Sequence, residues 1–405
     1  MTYALSPEDV AFLRSRYGSK ALEVAAQFAL TSSSLLADLT ALRSRYPEHA
    51  AALVETVRAR RRAAGKLANA DELLADDNAV QQATATPVAA LRAAEIARRH
   101  PGAMVHDLTC SIGAELSALA AEPGIGAVLG SDLDPVRLAM AQHNLGLLGG
   151  VAPTLLRADA LTPTSTADLF IADPGRRNSG GRVFGIDQLD PPLLELLTVY
   201  AGRPLVVKCS PGLDYRHLRT RFGFDGQVQV VSLDGGVREA CLWTEAAGQP
   251  ANRASVLRSG PDGTTVYEVT SDDPDELEEP GVGEWIVDPD GAVVRAGLVR
   301  HYAHAHGLRQ LDPQIAYLTG DTVPAGERGF RVIERLPVAE KALRGALAAR
   351  GCGSLEVLVR GLDVDPDRLR KRLKLKGTEP YALILTRIGR QGVAFLCEPG
   401  VRAAA

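Results

Sequence analysis

Several features that define other classes of protein are absent from this sequence. No apolar run approaches the roughly 20 residues that a membrane-spanning helix needs, and the N-terminus lacks the apolar region of a signal peptide. No Cys-x-x-Cys pair occurs among the five scattered cysteines, which are Cys110, Cys209, Cys241, Cys352 and Cys397. The sequence therefore predicts a soluble, cytoplasmic protein with reduced thiols and without a disulfide framework or a membrane partner.

A histidine cluster is the remaining sign of a metal site, and its spacing argues against one. His301, His304 and His306 lie in the stretch RHYAHAHG, but positions i, i+3 and i+5 do not share one face of a helix. No carboxylate pattern completes a ligand set, so no metal is predicted.

The sequence does contain an uneven distribution of charge. The formal net charge of the 405 residues is −4, yet residues 328–405 hold 16 Lys and Arg against 8 Asp and Glu. A basic module on an acidic body indicates an anionic partner such as nucleic acid, although a solvated basic face gives the same pattern.

The arrangement of apolar residues divides the chain into four parts. Residues 1–98 are rich in Ala, Leu and Arg at helical spacing, which predicts a helical N-terminal module. Short apolar runs then alternate with helical segments over 99–248, which predicts an α/β domain with a mostly parallel, doubly wound sheet. Residues 249–327 are predicted to be a linker or intermediate segment, and 328–405 a small α+β domain.

The sheet of the second part is expected to end antiparallel. Two apolar runs in 227–245 are joined by Gly235-Gly236, which predicts a β-hairpin. A plain dinucleotide-binding sheet ends on parallel strands instead, so this ending favours a different class of α/β protein.

Acidic residues follow three successive predicted strands, at Asp107, Asp132 and Asp159. After Asp107, a loop of small residues leads through Gly113 into a helix, where backbone N–H groups can meet a ligand. An acid about twenty residues further on can accept both ribose hydroxyls, and a third can meet an adenine amino group. Because the loop lacks Gly-x-Gly-x-x-Gly, we expect an adenosine ligand without a pyrophosphate; helix capping is the alternative role for each acid.

The fourth strand ends in IADPGRR, residues 171–177. A turn needs only Pro174 and Gly175, so the charges of Asp173, Arg176 and Arg177 require another explanation. Guanidinium groups can stack on a base or form forked hydrogen bonds to phosphate, and they can also pair with an acid inside the protein. Contact with a substrate and internal pairing both remain open.

The stretches DLTCSIGAE, GSDLDP, RADAL and ADPGRR, in this order and followed by a hairpin, resemble class I S-adenosylmethionine-dependent methyltransferases. QQATATPVAALRAAEIA, DPGRR with GGR, VKCSPGLD, GGVREACLW and the basic tail are similar to a bacterial group of these enzymes with a THUMP-like C-terminal domain. The resemblance covers about residues 80–400. It implies a seven-stranded Rossmann-like methyltransferase sheet, S-adenosyl-L-methionine as cofactor, and tRNA or rRNA as a substrate bound through 328–405.

The resemblance also implies which residues bind the cofactor. Asp132 would hold the ribose, and Asp159 with Ala160 the adenine. Thr109 and Ser111 stand where glycines are frequent in the family, which makes the loop stiffer. The motif around the methionine moiety comprises Asp107, Thr109, Ser111 and Gly113.

The acceptor side of the site is expected at Asp173. Amino-methylating relatives have an Asp/Asn-Pro-Pro-aromatic turn there, in which the acidic or amide residue grips the target amine. We expect Asp173 to orient the amine or accept its proton, with Arg176, Arg177 and Lys208 beside it.

Cys209, next to Lys208, leaves a second chemistry open. Uracil-5-methylating enzymes use a thiolate as nucleophile, whereas a cysteine in a strand is more often a buried structural thiol. Two other functions also stay open: a small-molecule methyltransferase whose tail is a lid, and an RNA-binding protein with a weakened cofactor site.

Overall fold

The computed structural model describes residues 3–149, 153–176, 189–279 and 281–403. The chain forms two compact units, one of Met1–Gln227 with Glu239–Ala247, the other of Val228–Arg238 with Gly248–Ala405. Among the described residues, no helix has the length and apolar character required to cross a membrane.

The first unit begins with helices that bury their apolar faces against one another. Ser6 starts the first helix with a capping box, in which its hydroxyl accepts from the Asp9 N–H while the Asp9 carboxylate accepts from the Ser6 N–H. Leu53, Leu74 and many alanines form the core of these helices. The helices are α1 (Pro7–Arg14), α2 (Arg16–Ala26), α3 (Leu35–Arg45), α4 (Ala50–Ala63), α5 (Asp77–Gln82) and α6 (Thr86–Arg99).

Strands and helices then alternate, as the apolar pattern predicts. The strands are β1 (Met104–Asp107), β2 (Ala127–Asp132), β3 (Thr154–Arg157), β4 (Leu169–Ala172), β5 (Gly175–Arg176), β6 (Leu189–Asp190), β7 (Leu205–Cys209), β8 (Gln227–Leu233), β9 (Gly236–Trp243), β10 (Asn252–Gly260) and β11 (Gly263–Thr270). The helices between them are α7 (Ala114–Ala121), α8 (Pro135–Gly146), α9 (Leu193–Val199) and α10 (Tyr215–Phe222).

The main sheet has the strand order β11-β10-β8-β9-β7-β4-β1-β2-β3. Strands β1, β2, β3, β4 and β7 run parallel, and β9 is antiparallel to β7. Because parallel strands end at the same edge of a sheet, the residues that follow β1, β2, β4 and β7 are brought to one side.

Two details of the sheet differ from the sequence prediction. The sheet has nine strands instead of seven, because Asn252–Leu257 of β10 pairs in parallel with Val228–Leu233 of β8 and β11 pairs antiparallel with β10. The hairpin turn lies at Asp234-Gly235 instead of Gly235-Gly236, since these two residues have positive φ angles of 53° and 76°. Positive φ at both central positions is typical of a tight hairpin turn.

A second sheet occupies the rest of the second unit, in the order β13-β14-β12-β15-β18-β17-β16, with β19 paired to β15. From Arg328 onward, the predicted order strand, helix, strand, helix, strand, strand is present. The elements are β12 (Trp285–Asp288), α11 (Gly291–Arg295), α12 (Val299–Ala305), β13 (Arg309–Asp312), β14 (Ile315–Gly320), β15 (Arg328–Pro337), α13 (Glu340–Ala349), β16 (Cys352–Val359), α14 (Pro366–Leu373), β17 (Glu379–Ile388), β18 (Gln391–Cys397) and β19 (Val401–Arg402).

Candidate active site

The carboxyl group of Asp107 lies buried at the end of β1. Its Oδ1 accepts a hydrogen bond from the Thr109 N–H at 3.1 Å, which starts the turn into the following loop. Burial, and after it the nearby Glu115 carboxylate, raises the pKa of this carboxyl from 3.8 to about 7. The protonation state of Asp107 therefore changes near neutral pH.

The loop after β1 reaches the end of β2 through Ser111. Ser111 has a φ of +46°, a left-handed conformation that favours glycine, and its N–H donates to Asp132 Oδ2 at 2.9 Å. Gly113, with a φ of +84°, precedes the first residue of α7. Asp132 also accepts the Asp134 N–H through Oδ1 at 2.9 Å, so both of its oxygens bind backbone N–H groups.

Asp173 follows β4 and faces the ammonium group of Lys208, the fourth residue of β7. The distance from Lys208 Nζ to Asp173 Oδ2 is 2.5 Å. The Lys208 side chain is 8% exposed and the Asp173 side chain 40%, so only the acid reaches the surface. Although burial lowers the pKa of Lys208, attraction to Asp173 and then to Glu115 outweighs it and raises the pKa overall, which keeps the ammonium charged.

Lys208 belongs to a larger buried charge network. Glu115, in the first turn of α7, lies with Oε2 4.0 Å from Lys208 Nζ. Arg92 of α6 holds the same carboxylate with two hydrogen bonds of 2.7 and 3.2 Å, and donates at 2.5 Å to Glu239 of β9. We name Arg92, Glu115, Glu239, Lys208 and Asp173 the ion-pair network.

Sequence analysis missed three members of this network, Arg92, Glu115 and Glu239. The one signal for a buried charge in the sequence is the position of Arg92 in α6. It lies on the face of this alanine-rich helix that packs against the core, next to the buried residues Ala89, Ala93 and Ile96. The pairing of Arg92 with Glu239 joins residues 147 positions apart, and no local pattern reveals such a pair.

A cavity lies beside Asp173, Lys208 and Glu115 of the ion-pair network. Its walls include the loop after β1, the ends of β4 and β7, and residues 82–84, which run from the last residue of α5 toward α6. Thr84 is buried there, and its hydroxyl has no hydrogen-bond partner among the described residues. The charged and polar residues that line the cavity are Gln82, Thr84, Asp107, Thr109, Ser111, Glu115, Asp173 and Lys208.

The cavity contains some of the predicted site residues and leaves others outside its walls. Asp132 and Gly113 do not line it but flank its loop. Asp159 is exposed and caps its own turn by accepting the Leu161 N–H, and the Ala160 carbonyl accepts from the Tyr200 hydroxyl at 2.9 Å. The roles of these residues in cofactor binding stay predictions.

The backbone of Arg176 lies in β5, opposite Leu189 of β6. Arg177 lies outside the described residues.

Cys209 is a buried thiol. It is absent from the cavity walls, and its Sγ lies 3.9 Å from the Val207 carbonyl oxygen. Burial, together with the charges of Asp173 and Glu239, raises the pKa of the thiol. A protonated thiol is a poor nucleophile, so the geometry favours the structural role.

The described residues hold no group of three or more His, Cys, Asp or Glu side chains arranged to bind a metal ion. In the cluster predicted not to bind metal, the His304 ring bonds to the Glu276 carbonyl and the His306 ring to the Tyr267 hydroxyl.

The strand order β3-β2-β1-β4-β7 followed by antiparallel β9, with a polar cavity at the carboxyl ends of β1 and β4, defines the α/β fold of methyltransferases. The crystal structure described as a "putative methyltransferase from Porphyromonas gingivalis W83" has this fold, with a TM-score of 0.73 at 19% identity and all of both chains covered. Residues 327–399 match the THUMP domain-like family, and 6–63 match a domain of unknown function (DUF8688).

Two proteins of Mycobacterium tuberculosis, from strains CDC 1551 and H37Rv, are each 50% identical to this chain over 370 residues, which is 88% of this chain and 99% of theirs. Both bear the name uncharacterized S-adenosylmethionine-dependent methyltransferase. The chain belongs to the S-adenosylmethionine-dependent methyltransferases with a THUMP-like C-terminal domain.

Proposed function

We propose that this methyltransferase modifies a base in structured RNA, tRNA or rRNA, and that the acceptor group binds at Asp173. The observation that carries the site assignment is the carboxylate of Asp173, which stands at the cavity with one oxygen held by Lys208 at 2.5 Å. The remaining oxygen, Oδ1, has no hydrogen-bond partner among the described residues and is the one left for an acceptor.

The residues around the cavity fit S-adenosylmethionine. When bound, this cofactor supplies an electrophilic methyl group on a positively charged sulfonium. The carboxyl groups of Asp107, Glu115 and Asp173 face one space against a single cation, Lys208, and such a surplus of acids suits a ligand with cationic groups. Asp132, at the end of β2, remains the expected partner of the ribose.

Asp173 has two tasks in this proposal. Its Oδ1 accepts a hydrogen bond from the acceptor N–H and so points the nitrogen lone pair at the methyl carbon. As the N–C bond forms and the C–S bond breaks, the proton of the nitrogen passes to Asp173 or to solvent. Lys208 fixes the direction of the carboxylate, because a buried charge-assisted hydrogen bond restricts both side chains.

The RNA substrate is supported by the THUMP-like domain and by the charges of α14. Leu369 and Leu373 of this helix are buried, while its other faces carry basic residues. Arg368, Arg370 and Arg372 pair with acids of the same domain. Three exposed lysines form no ion pair within the described residues, and they offer their charge to phosphate: Lys371, Lys374 and Lys376.

Mass spectrometry of nucleosides tests the proposal. RNA from cells with and without the gene should differ by one methylated nucleoside, which an added copy of the gene should restore. Identical nucleosides in all RNA classes would contradict an RNA substrate and favour the small-molecule methyltransferase.

A further inference from the structure

The ion-pair network is an alternating chain of charges that leads from the interior to the cavity. Glu239 contacts Arg92, Arg92 contacts Glu115, Glu115 faces Lys208, and Lys208 contacts Asp173. The first four side chains in this chain are less than 10% exposed, and Asp173 is the one at the surface. Glu115 and Lys208 line the cavity together with Asp173, whereas Arg92 and Glu239 do not.

Such a network is costly to bury. Removing charges from water costs several kcal/mol each, and apolar replacements of buried ion pairs are often neutral or stabilising. A buried network that ends in a binding cavity therefore points to a role in the site. Its charges do not cancel either, since three carboxylates face two cations, which leaves one negative charge in excess.

The excess negative charge lies around Lys208, which has two carboxylates as neighbours. Its ammonium contacts Asp173 Oδ2 at 2.5 Å and has Glu115 Oε2 at 4.0 Å on its other side. A lysine that two carboxylates share neutralises neither completely. Arg92 holds both oxygens of Glu115, so Glu115 cannot turn away from Lys208.

We propose that Glu115 is a positioning and specificity residue of the methyl-donor site. By sharing Lys208 with Asp173, it leaves a net negative charge beside the transferred methyl group. This charge favours S-adenosylmethionine, whose sulfonium is positive, over the product S-adenosylhomocysteine, whose thioether is neutral, and so helps the product to leave. The inference rests on the proposed function, in which the methyl group of the donor lies in the cavity beside Asp173.

Binding measurements on the full-length protein test this inference without a known RNA. Isothermal titration calorimetry gives the Kd of S-adenosylmethionine and of S-adenosylhomocysteine for the wild type and for Glu115→Gln. The measured quantity is the Kd of S-adenosylhomocysteine divided by the Kd of S-adenosylmethionine. We expect this ratio to fall about tenfold in Glu115→Gln, because one unit charge near the sulfonium is lost. If Glu115 had only a structural role, Glu115→Gln would weaken the binding of both ligands equally and leave the ratio unchanged.

Glu239→Gln is the matched control. It makes the same chemical change in the same network, but at a residue that does not line the cavity. In either variant, Arg92 and Lys208 each keep at least one carboxylate partner. The control should retain most of the wild-type ratio, and Glu115→Asp, which keeps the charge, should retain it as well.

Two results would overturn the inference. One is an unchanged Kd ratio in Glu115→Gln, and the other is an equal fall of the Kd ratio in Glu115→Gln and Glu239→Gln. Asp173→Asn separates this failure from failure of the proposed site. If Asp173→Asn lowers the ratio and Glu115→Gln does not, only the role of Glu115 is wrong. If Asp173→Asn also leaves the ratio unchanged, the sulfonium of the donor does not lie beside Asp173 and the proposed site is wrong.

Discussion

The backbone N–H of Asp173 donates a hydrogen bond to the hydroxyl oxygen of Thr109 at a distance of 2.7 Å. This bond ties the turn after β4, which carries the proposed acceptor residue, to the loop after β1, which is expected to wrap the cofactor. The threonine that stands where related loops frequently have glycine therefore connects the two halves of the site.

Replacing Thr109 should uncouple these two halves. Thr109→Val removes the acceptor and leaves the partly buried N–H of Asp173 unpaired, which costs about 1–3 kcal/mol. Thr109→Ser keeps the oxygen and should lie near the wild type. Denaturant unfolding gives the stabilities; equal stability of the valine and serine variants would contradict a bond of this importance.

The raised pKa of Asp107 predicts that cofactor affinity depends on pH. A cationic ligand favours the ionised carboxylate, so binding must release the proton that Asp107 holds below its pKa of about 7. Affinity for S-adenosylmethionine should thus rise roughly tenfold from pH 6 to pH 8. Asp107→Asn, which keeps an oxygen for the Thr109 N–H, should remove most of this dependence, and calorimetry in paired buffers should detect proton release in the wild type alone.

The same pKa shift acts on stability in the absence of ligand. The carboxyl ionises near 3.8 in the unfolded chain and near 7 in the folded protein, so the folded state binds more protons between these values. The contribution of Asp107 to the free energy of unfolding therefore falls as the pH rises through this window. Asp107→Asn should lose less stability over this window than the wild type.

Asp132 is expected to bind the ribose. Asp132→Ala should weaken cofactor binding by roughly 1.5–3 kcal/mol, the scale of charge-assisted hydrogen bonds. Because Asp132 also accepts the Ser111 N–H, the alanine variant disturbs the loop as well. Cofactor analogues with and without the two ribose hydroxyls separate these effects. Asp132→Ala should lose much affinity only for the analogues that carry the hydroxyls.

RNA binding should depend on salt and on three lysines at the C-terminal end of α14 and just after it, which form no ion pair within the described residues. Replacing Lys371, Lys374 and Lys376 with alanine should lower the slope of log affinity against log salt by roughly two to three, if each lysine contacts a phosphate. Alanine at Arg344, Arg368 and Arg372, which pair with acids, removes the same charge and should have a smaller effect. Equal slopes for the wild type and the lysine variant would place the RNA elsewhere, for instance on the helices before residue 99.

Point variants serve this test better than removal of the tail. β15 pairs with β12 on one side and with β18 on the other. Deleting residues 328–405 would therefore take a central strand from the second sheet and expose β12, so lost RNA binding could not be separated from unfolding.

The sequence allowed the residues at strand ends to be predicted because their placement follows from one rule. Parallel strands end together, and Asp107, Thr109, Asp173 and Lys208 accordingly line one cavity. The partners behind them could not be predicted, since Arg92 meets Glu239 only after the sheet has formed. The two added strands were missed for a similar reason: β10 finds its place by pairing with β8, over a connection that includes all of β9.

Methyl transfer by Asp173→Asn, measured as a single turnover of the bound cofactor on the RNA that nucleoside analysis identifies, tests the central claim most directly. Asparagine keeps the shape of the side chain but cannot accept a proton as a carboxylate does. We predict that the rate falls at least about a hundredfold, while RNA affinity stays near that of the wild type. A variant that folds, binds both ligands and transfers the methyl group at the wild-type rate would contradict the assignment of Asp173 to the acceptor site.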